Sequence, residues 1–314
     1  MKIVCTSPSF ARYSRAPIES LEARDIELVA LPADIDETTF IERADGAVGA
    51  IVAFNAISDR VLGALPAMKI VAKHGVGVDN IDLAAAARHG VTVTNVPAAN
   101  REAVADFTFA LLMASARAIP RIDTATKRGE WPRHFGRDVH GATLGIVGLG
   151  SIGQAVARRA AGFDMTLVAH DPFADADVAS ALSVELMPLD ELCRRADYLT
   201  LHVGLSEQTR HLIDAARLGS MKPTAVLINA ARGGIVDESA LYDALTQGTI
   251  AAAAVDAFEI EPASEHPLFA LDNVIATSHV AGYTENALTT LSQSCVDDVI
   301  AVIDGRAPRH PVSA

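Results

Sequence analysis

Cysteine is scarce in this sequence, and only Cys5, Cys193 and Cys295 occur among its 314 residues. The three are widely scattered, so they provide neither the close spacing of a metal site nor the even number of a disulfide framework. Unpaired thiols of this kind are typical of reducing compartments. We therefore expect a cytoplasmic protein without a bound metal ion.

Long apolar runs are also lacking, although 50% of the residues are hydrophobic. No run reaches the roughly 18 to 20 uncharged residues that span a bilayer. The sequence begins MKIVCTSPSF, in which polar residues and a proline interrupt any signal-like apolar segment. We expect neither export nor contact with a membrane.

Positive charge is in the minority, since 26 Lys and Arg residues stand against 39 Asp and Glu, for a net charge of -13. No cluster of basic residues stands out, so a nucleic-acid partner is not expected. The acidity does not argue against a small anionic substrate, because a local site can be positive inside an acidic protein. Net charge bears mainly on solubility.

What the sequence does contain is an alternation of short apolar runs with alanine-rich stretches. Many of the runs are apolar throughout, which is typical of parallel strands buried on both faces. The chain is too long for one ordinary core, and the alternation predicts two doubly wound parallel-sheet α/β domains. We predict strands at residues 2–6, 46–52, 69–73, 91–94, 143–147, 165–170, 198–202, 225–229, 250–255 and 274–277.

The domain boundary is predicted near residues 96–100, where VPAAN supplies turn residues before a helix that runs to about residue 118. The tail beyond about residue 283 resembles one amphipathic helix that could return to the first domain. We therefore predict a discontinuous domain of residues 1–98 plus 286–314, and a second domain of residues 99–285. The apolar face of the helix at 100–118 must be buried, either between the domains or against a second subunit.

A glycine-rich motif follows the predicted strand at 143–147. Gly148, Gly150 and Gly153 form GxGxxG, with an apolar strand before it and a helical stretch after it. This context predicts a dinucleotide site, in which the helix N-terminus at Ser151 and Ile152 faces a pyrophosphate. The alternative is a glycine turn that binds nothing.

An acidic residue, Asp171, closes the next predicted strand. A carboxylate at this point would accept hydrogen bonds from both adenosine ribose hydroxyls and would repel a 2′-phosphate. Pro172 follows it, where Arg or Ser would have suggested NADP. NAD is therefore the expected cofactor, although His170 next to the carboxylate leaves some room for NADP.

Polar residues stand at the ends of the last three predicted strands, where open α/β sheets bind their ligands. Arg232, between a buried strand and two glycines, could grip a substrate carboxylate in a bidentate fashion. A structural pairing of Arg232 with Asp237 or Glu238 is the alternative. His279 follows the last strand, and a carboxylate in contact with it would make it a proton donor for the reduction of a ketone. A structural histidine is the alternative here.

These motifs together resemble the D-isomer-specific 2-hydroxyacid dehydrogenase family over nearly the whole chain. The resemblance rests on six segments in the family's order and spacing: KHGVGVDNID from residue 73, NVPAAN from 95, GLGSIG from 148, NAARGGIVDE from 229, DAFEIEP from 256 and TSHVAGYT from 277. It implies a Rossmann NAD-binding domain and a flavodoxin-like substrate domain with a cleft between them.

The resemblance also implies roles for single residues. Arg232 would bind the substrate carboxylate and orient the carbonyl, and His279 would be the acid–base group. Glu261, rather than Glu259, would be the carboxylate that pairs with this histidine. The further residues implied at the cofactor are His202, Ala230 and Asp256, the last of which would face the nicotinamide carboxamide.

For the substrate, the resemblance implies that the backbone amides of Val76 and Gly77 cradle the carboxylate, with Lys73, His74 and Phe54 nearby. Within the family, the motif sequences are most similar to those of phosphoglycerate dehydrogenases in a short form without a regulatory domain. Those enzymes have an arginine for the phosphate near position 53, where this chain has alanine and phenylalanine. The candidates are therefore glyoxylate, hydroxypyruvate and similar small 2-keto acids, together with 3-phosphoglycerate.

Two other functions share these motifs. A corepressor-like protein that binds NAD without turnover would keep the glycine loop and even the three catalytic positions. A phosphite-type dehydrogenase is also compatible with them, whereas formate enzymes of this superfamily lack the glutamate at the position of Glu261. The resemblance further implies a homodimer, paired through the helix at 100–118.

Overall fold

Short apolar runs form parallel strands throughout the chain, and a computed structural model describes residues 1–313. The strands are β1 Lys2–Cys5, β2 Glu27–Ala30, β3 Gly49–Val52, β4 Ile70–Lys73, β5 Thr92–Thr94, β6 Thr143–Val147, β7 Thr166–His170, β8 Val184–Leu186, β9 Tyr198–Leu201, β10 Val226–Asn229, β11 Ala252–Val255, β12 Val274–Ala276 and β13 Pro311–Val312.

Alanine-rich segments between the strands form the helices. They are α1 Ala16–Glu22, α2 Glu37–Ala44, α3 Asp59–Ala64, α4 Leu83–Arg88, α5 Arg101–Ala116, α6 Ile119–Lys127, α7 Ser151–Ala161, α8 Ala176–Ala181, α9 Leu189–Arg195, α10 Ala215–Ser220, α11 Glu238–Thr246 and α12 Glu285–Ile303, with a 3₁₀ turn at Pro267–Ala270. Aspartate, serine or threonine caps many of the helix N-termini, as Asp237 caps α11 through the amide of Ala240.

The contacts of the chain divide it into two units. The first unit comprises residues 1–100 and the segment from Tyr283 onward, and the second comprises residues 101–282. The boundaries proposed from the sequence, at 98/99 and 285/286, stay a proposal. Each unit has its own parallel sheet and its own buried apolar core.

The first unit has a six-stranded sheet with the order β13-β5-β4-β3-β1-β2. All of its strand pairs are parallel except the pair of β13 with β5. The order of its first five strands is that of a flavodoxin-like sheet. Helix α12 packs on this sheet through buried side chains that include Leu288, Leu291, Val296 and Val299.

The second unit has a seven-stranded parallel sheet with the order β12-β11-β10-β9-β6-β7-β8. The strand order reverses between β6 and β9, which is the switch point at which doubly wound sheets bind nucleotides. Strands β6, β9 and β10 consist almost entirely of buried residues. The predicted fold class, two doubly wound parallel-sheet domains of which one is Rossmann-like, is therefore confirmed.

Three strands were absent from the prediction, and all three lie at sheet edges. β2 and β13 contain only exposed and partly buried residues, and β8 has one buried residue followed by two exposed ones. An edge strand has a neighbour on one side only, so its sequence carries a weaker apolar signal than a central strand.

No single helix within residues 1–313 is long and apolar enough to span a membrane. Helices α5 and α6 satisfy the length and composition criteria only as a pair, and that pair is bent by 62°.

Candidate active site

The carboxyl ends of the parallel strands in the second unit meet at one edge of its sheet, and most of the predicted site residues follow those ends. Residues that are far apart in the sequence therefore follow strands that are neighbours in the sheet. The residues directly after the strands are Gly148 after β6, Asp171 after β7, His202 after β9, Ala230 after β10 and Asp256 after β11, with His279 a short way beyond the end of β12.

The glycine loop has the shape that a pyrophosphate requires. Gly148 has a φ of +92°, and a Cβ at this position would lie 2.6 Å from the carbonyl oxygen of His202. A Cβ at Gly153 would lie 2.1 Å from the carbonyl oxygen of Gly148, so helix α7 can approach the strand only with glycine there. Gly150 borders open space, and a Cβ there would meet nothing within 4 Å. Tight turns and an open, side-chain-free face therefore occur together, as a bound dinucleotide demands.

Helix α7 begins at Ser151 directly after Gly150, and no side chain caps its N-terminus. Ser151 is exposed and Ile152 is partly buried. The first amides of an 11-residue helix are thus left to an external acceptor, and the helix dipole favours an anion there.

Asp171 is linked to this loop. One carboxylate oxygen accepts a hydrogen bond from the amide of Leu149 at 2.8 Å, and the other accepts from the amide of Phe173 at 2.8 Å. The side chain is only partly buried, so each oxygen keeps capacity for a further donor. The side chain is thus fixed beside the glycine loop in a position that suits the two hydroxyls of a ribose, and the residues present fit NAD.

His202 and Ala230 border the same edge. The Nε2 atom of His202 lies 3.0 Å from the hydroxyl of Thr200, and burial lowers the pKa of this histidine to about 3. Ala230 is 9% exposed. Neither side chain carries a charge at neutral pH. The roles of both residues at the cofactor stay predictions.

His279 and Glu261 are in direct contact. The Nδ1 atom of His279 lies 3.0 and 2.8 Å from the two carboxylate oxygens of Glu261. One of those oxygens also accepts a hydrogen bond from the amide of Phe258 at 2.9 Å. A carboxylate accepts from an N–H, so Nδ1 carries a proton and Nε2 is the nitrogen that can exchange one with a substrate.

The carboxyl group of Glu261 is kept ionised by its surroundings. Burial on its own acts to raise the pKa, but the hydrogen bond and the charge of His279 act against it. The amide of Phe258 and the charge of Arg232 lower it further, and the net result is a pKa below the usual glutamate value. His279 and Arg232 therefore both act electrostatically on Glu261 within the second unit.

Asp256 organises the loop that carries His279. Its carboxylate is fully buried and accepts hydrogen bonds from the hydroxyl of Thr277 at 2.6 Å and from the amides of Val280 and Ala281 at 3.0 and 2.9 Å. The amide of His279 donates to the carbonyl oxygen of Asp256 at 2.8 Å. These bonds hold His279 at a φ of +56°, a left-handed conformation that a histidine adopts at some cost.

This organising contact was missed in the sequence analysis. DAFEIEP offers three carboxylates, and nothing in their spacing tells which one faces the histidine loop. The indirect signal is that Asp256 follows a fully apolar strand directly and so must be buried with partners. The predicted contact of Asp256 with the nicotinamide carboxamide stays a prediction.

Arg232 lies at the end of β10 among small residues. Its guanidinium donates to the carbonyl oxygen of Ala231 at 2.8 Å, and its own carbonyl oxygen accepts from the side-chain amide of Asn229 at 2.9 Å. Gly233 is needed beside it, because a Cβ there would lie 2.0 Å from the backbone of Phe258. This close approach brings the Arg232 loop against the loop of Glu261.

The other carboxylates of this region have partners of their own. Glu259 accepts from the Nε2 atom of His211 at 2.8 Å, so it is occupied away from His279. The two oxygens of Glu238 accept from the amide of Glu259 at 2.8 Å and from the Nε2 atom of His266 at 2.9 Å. Glu238 thus braces the loop that carries Glu261.

The substrate residues predicted at positions 54 and 73 belong to the first unit. The ammonium group of Lys73 donates to the carbonyl oxygen of Ala53 and to Oδ1 of Asn80, the latter at 2.6 Å. It also lies 5.6 Å from the centre of the Phe54 ring. Lys73 is 6% exposed and Phe54 is 52% exposed, so the ring, not the ammonium group, is the outward-facing part.

His74 is buried, with its ring between the hydroxyls of Ser7 and Ser292 at 3.0 Å each. Burial, together with the charge of Lys73, lowers the pKa of His74 to about 4. Val76 and Gly77 are partly exposed. The direct contact of His74 with a substrate stays a prediction, and its ring has structural partners on both sides.

Comparison with known proteins agrees with this geometry. Residues 109–281 match the family model described as "D-isomer specific 2-hydroxyacid dehydrogenase, NAD binding domain". A D-3-phosphoglycerate dehydrogenase from Methanocaldococcus jannaschii is 44% identical over 249 residues, which cover 78% of this chain and 48% of that protein. A glyoxylate reductase from Korarchaeum cryptofilum is 42% identical over 264 residues, which cover 82% of this chain and 80% of that protein.

Among solved structures, a glyoxylate reductase from Paecilomyes thermophila superposes with a TM-score of 0.89 at 27% identity, over 99% of this chain and 98% of that one. The chain spans about half the length of the phosphoglycerate dehydrogenase and about four fifths of the glyoxylate reductase from Korarchaeum. The resemblance drawn from the six motifs and the expected NAD cofactor are confirmed by these matches.

Proposed function

Because this chain belongs to the D-isomer specific 2-hydroxyacid dehydrogenase family, we propose that it transfers a hydride between NAD and C2 of a small D-2-hydroxy acid or 2-keto acid. The observation that carries the proposal is the contact of His279 Nδ1 with both oxygens of Glu261, beside Arg232. Proton donor, anionic partner and cation are the groups that reduction of a 2-keto acid needs.

Bound NADH supplies the hydride of the reduction. The protein's own part is to bind and polarise the keto acid and to deliver a proton. Arg232 offers a planar pair of donors for a carboxylate and a positive charge beside the carbonyl oxygen. His279 donates from Nε2 to the oxygen as negative charge develops on it, and accepts that proton in the reverse direction. General acid–base catalysis of this kind is typically worth ~10² to 10⁴ in rate.

Glu261 stabilises the protonated ring and fixes which nitrogen reacts. Since its pKa lies below the usual glutamate value, it is ionised throughout the neutral range. Its carboxylate accepts the Nδ1 hydrogen and so leaves Nε2 as the nitrogen that faces a substrate. Asp256 completes the arrangement by holding the loop on which the ring stands.

For the substrate, we propose a small unphosphorylated keto acid such as glyoxylate or hydroxypyruvate in preference to a phosphorylated one. The support is the pair of residues at 53 and 54, an alanine and an exposed phenylalanine in place of a cation. The nearby charge, that of Lys73, is buried and already bound by Ala53 and Asn80. A phosphate dianion would find an aromatic ring there instead of charge-assisted donors.

The test is a screen of glyoxylate, hydroxypyruvate, pyruvate and 3-phosphohydroxypyruvate, each with NADH and with NADPH. We expect NADH-dependent reduction, with kcat/KM for the first two above that for the phosphorylated acid. Turnover of 3-phosphohydroxypyruvate alone would reverse the substrate proposal. Binding of NADH without turnover of any keto acid would favour a corepressor-like role instead.

We also propose a homodimer. The support is an unusual exposure of aromatic side chains directly after α5 and α6: Trp131 is 82% exposed and Phe135 is 92% exposed. A groove at α5 is lined by Met113 and Phe163, which are partly buried, and by the buried Phe109. Exposed apolar patches of this kind mark protein–protein contacts. Light scattering should give twice the mass of the chain, and a monomer mass would contradict this.

A cytoplasmic location belongs to the same proposal. Within residues 1–313 all cysteines are free and buried, which suits a reducing compartment. Fractionation of the producing cells should place the protein with the cytoplasmic enzymes, and recovery from the membrane or the medium would contradict this.

A further inference from the structure

Three segments of the first unit meet at the ring of His74, the residue that follows β4. Nδ1 lies 3.0 Å from the hydroxyl oxygen of Ser7, which stands in the loop after β1. Nε2 lies 3.0 Å from the hydroxyl oxygen of Ser292, which stands in helix α12. The ring is 7% exposed, and Phe10 packs edge-on against it with 5.9 Å between the ring centres. One side chain thus links a strand end, a loop and the C-terminal helix.

The direction of every hydrogen bond around this ring follows from Ser292. Its hydroxyl donates its one proton to the carbonyl oxygen of Leu288 at 2.7 Å and accepts from the amide of Ala11 at 3.1 Å. It can therefore only accept from His74, so Nε2 carries the ring proton. Burial lowers the pKa of His74 to about 4, so the ring is uncharged at neutral pH and Nδ1 accepts from the hydroxyl of Ser7. The ring is neutral and held in one tautomer.

In the turn that begins at His74, backbone carbonyl oxygens accept hydrogen bonds from the protein, whereas two backbone amides do not donate to it. The carbonyl oxygen of Gly75 accepts from the amide of Val96 at 2.9 Å, and that of Val76 accepts from the side chain of Asn95 at 2.7 Å. Within the described residues 1–313, the amides of Val76 and Gly77 donate to no protein acceptor. Two successive free amides in a held turn form a nest for an anion.

His74 holds the beginning of this turn through both its backbone and its ring. Its amide donates to the carbonyl oxygen of Val52 at 2.8 Å, which continues the sheet for one residue beyond β4. Its ring then ties that point to Ser7 and Ser292. A shift of the ring would be passed directly to the peptide units of Gly75 and Val76, because they are the next in the chain.

We propose that His74 is a positioning residue that, through Ser7 and Ser292, holds the turn at 75–77 in the shape that presents the Val76 and Gly77 amides to the substrate carboxylate. The inference rests on the proposed function, because it takes that carboxylate as the anion. It assigns His74 a task that requires no contact with the substrate. The His74 ring holds the turn in place, and the backbone amides of the turn contact the substrate carboxylate.

The experiment compares His74→Phe, which keeps a ring of similar size, with His74→Gln, whose amide nitrogen keeps a donor toward Ser292. For His74→Phe we expect KM for the keto acid to rise roughly tenfold, the effect of about one net hydrogen bond. The kcat value and KM for NADH should change by less than about twofold, since neither the proton donor nor the glycine loop is touched. His74→Gln should give an intermediate KM.

A matched control is His89→Gln in the same unit, where the ring pairs with exposed Asp59 at 2.9 Å. Its kinetic constants should equal those of the wild type. A fall in kcat with unchanged KM in His74→Phe would indicate a merely structural role and would overturn the proposal, as would equal constants in all three variants.

Hydrogen–deuterium exchange separates this inference from the proposed function. In His74→Phe, the amides of residues 74–78 should exchange several-fold faster than in the wild type, whereas β1 to β4 should be unchanged. If the wild type reduces no keto acid, the proposed function fails while the exchange result still stands for the turn. If exchange at 74–78 is unchanged, the positioning role fails whatever the enzyme activity.

Discussion

The Nδ1 atom of His279 lies within 3.0 Å of both carboxylate oxygens of Glu261, so one nitrogen of this imidazole is committed to the carboxylate. The contact fixes the tautomer, the ring orientation and the atom from which a proton can leave. It joins two loops that are separated in sequence and that follow neighbouring strands, β11 and β12, of one sheet.

Replacement of Glu261 by Gln tests the charge of this pair. Glutamine keeps an acceptor for Nδ1–H but removes the negative charge beside the ring. We expect kcat for keto-acid reduction to fall by about tenfold or more, as part of the ~10² to 10⁴ that acid–base catalysis supplies.

The matched control is Glu259→Gln, two positions earlier, whose carboxylate pairs with His211 instead. It should retain most of the wild-type kcat. Equal losses in the two variants would indicate a general disturbance of the loop and would remove the special role of Glu261.

Replacement of Asp171 by Asn tests the choice of cofactor. Asparagine keeps one acceptor for the backbone beside the glycine loop but loses the charge that binds ribose hydroxyls and repels a 2′-phosphate. We expect KM for NADH to rise by roughly 10- to 100-fold, the cost of a charged hydrogen bond. The ratio of kcat/KM with NADPH to that with NADH should rise at the same time. An unchanged ratio would show that Asp171 does not face the ribose.

Two glycine replacements distinguish an effect on the packing of helix α7 from an effect on NADH binding. In Gly153→Ala the new Cβ would lie 2.1 Å from the carbonyl oxygen of Gly148, so helix α7 must move away from β6. We expect a lower thermal midpoint and weak NADH binding. In Gly150→Ala the Cβ meets open space, so the midpoint of the free protein should stay unchanged while NADH binding weakens. The measurements are thermal unfolding and NADH fluorescence, and equal stability loss in both would contradict the packing argument.

His74 makes a distinct prediction for stability against pH. Its pKa is lowered from 6.5 to about 4, so between these values the unfolded chain binds a proton that the folded protein does not. Stability therefore falls as pH decreases from 6.5 toward 4, by up to about 1.4 kcal/mol per pH unit from this group. The contribution is fully present above pH 6.5.

Thermal midpoints measured from about pH 7 to about pH 4 in wild type and His74→Phe check this. The variant should be less stable at neutral pH but should lose less on acidification, because it has no ring to protonate. His202, whose pKa is also lowered by burial, titrates in both proteins and cancels in the comparison. Parallel curves would show that His74 is not neutral and buried in the folded protein.

Most of the fold could be predicted from the sequence because it depends on short-range patterns. Apolar runs and the glycine motif are local signals, and they located the central strands and the nucleotide loop. Edge strands such as β8 carry little of that signal, so they were missed. The family, the NAD cofactor and the two-domain α/β class, all predicted from motifs, are confirmed.

Contacts between residues far apart in the chain could not be predicted in this way. The burial of Asp256 under the loop of residues 277–281 and the left-handed conformation of His279 arise from packing of β11 against β12. The hydrogen bond between His74 and Ser292 joins residues 218 positions apart, and no periodicity of the sequence predicts it. The sequence motifs indicate which polar residues follow each strand, whereas the tertiary structure determines which of these residues are in contact.

We propose His279 as the proton donor of a keto-acid reductase, and the decisive experiment is NADH oxidation by wild type and His279→Ala with glyoxylate and hydroxypyruvate. We predict rapid turnover by the wild type and a loss of at least about 10² in kcat for the variant, with NADH binding unchanged. Turnover by His279→Ala within a few-fold of the wild-type rate would show that His279 is not the proton donor.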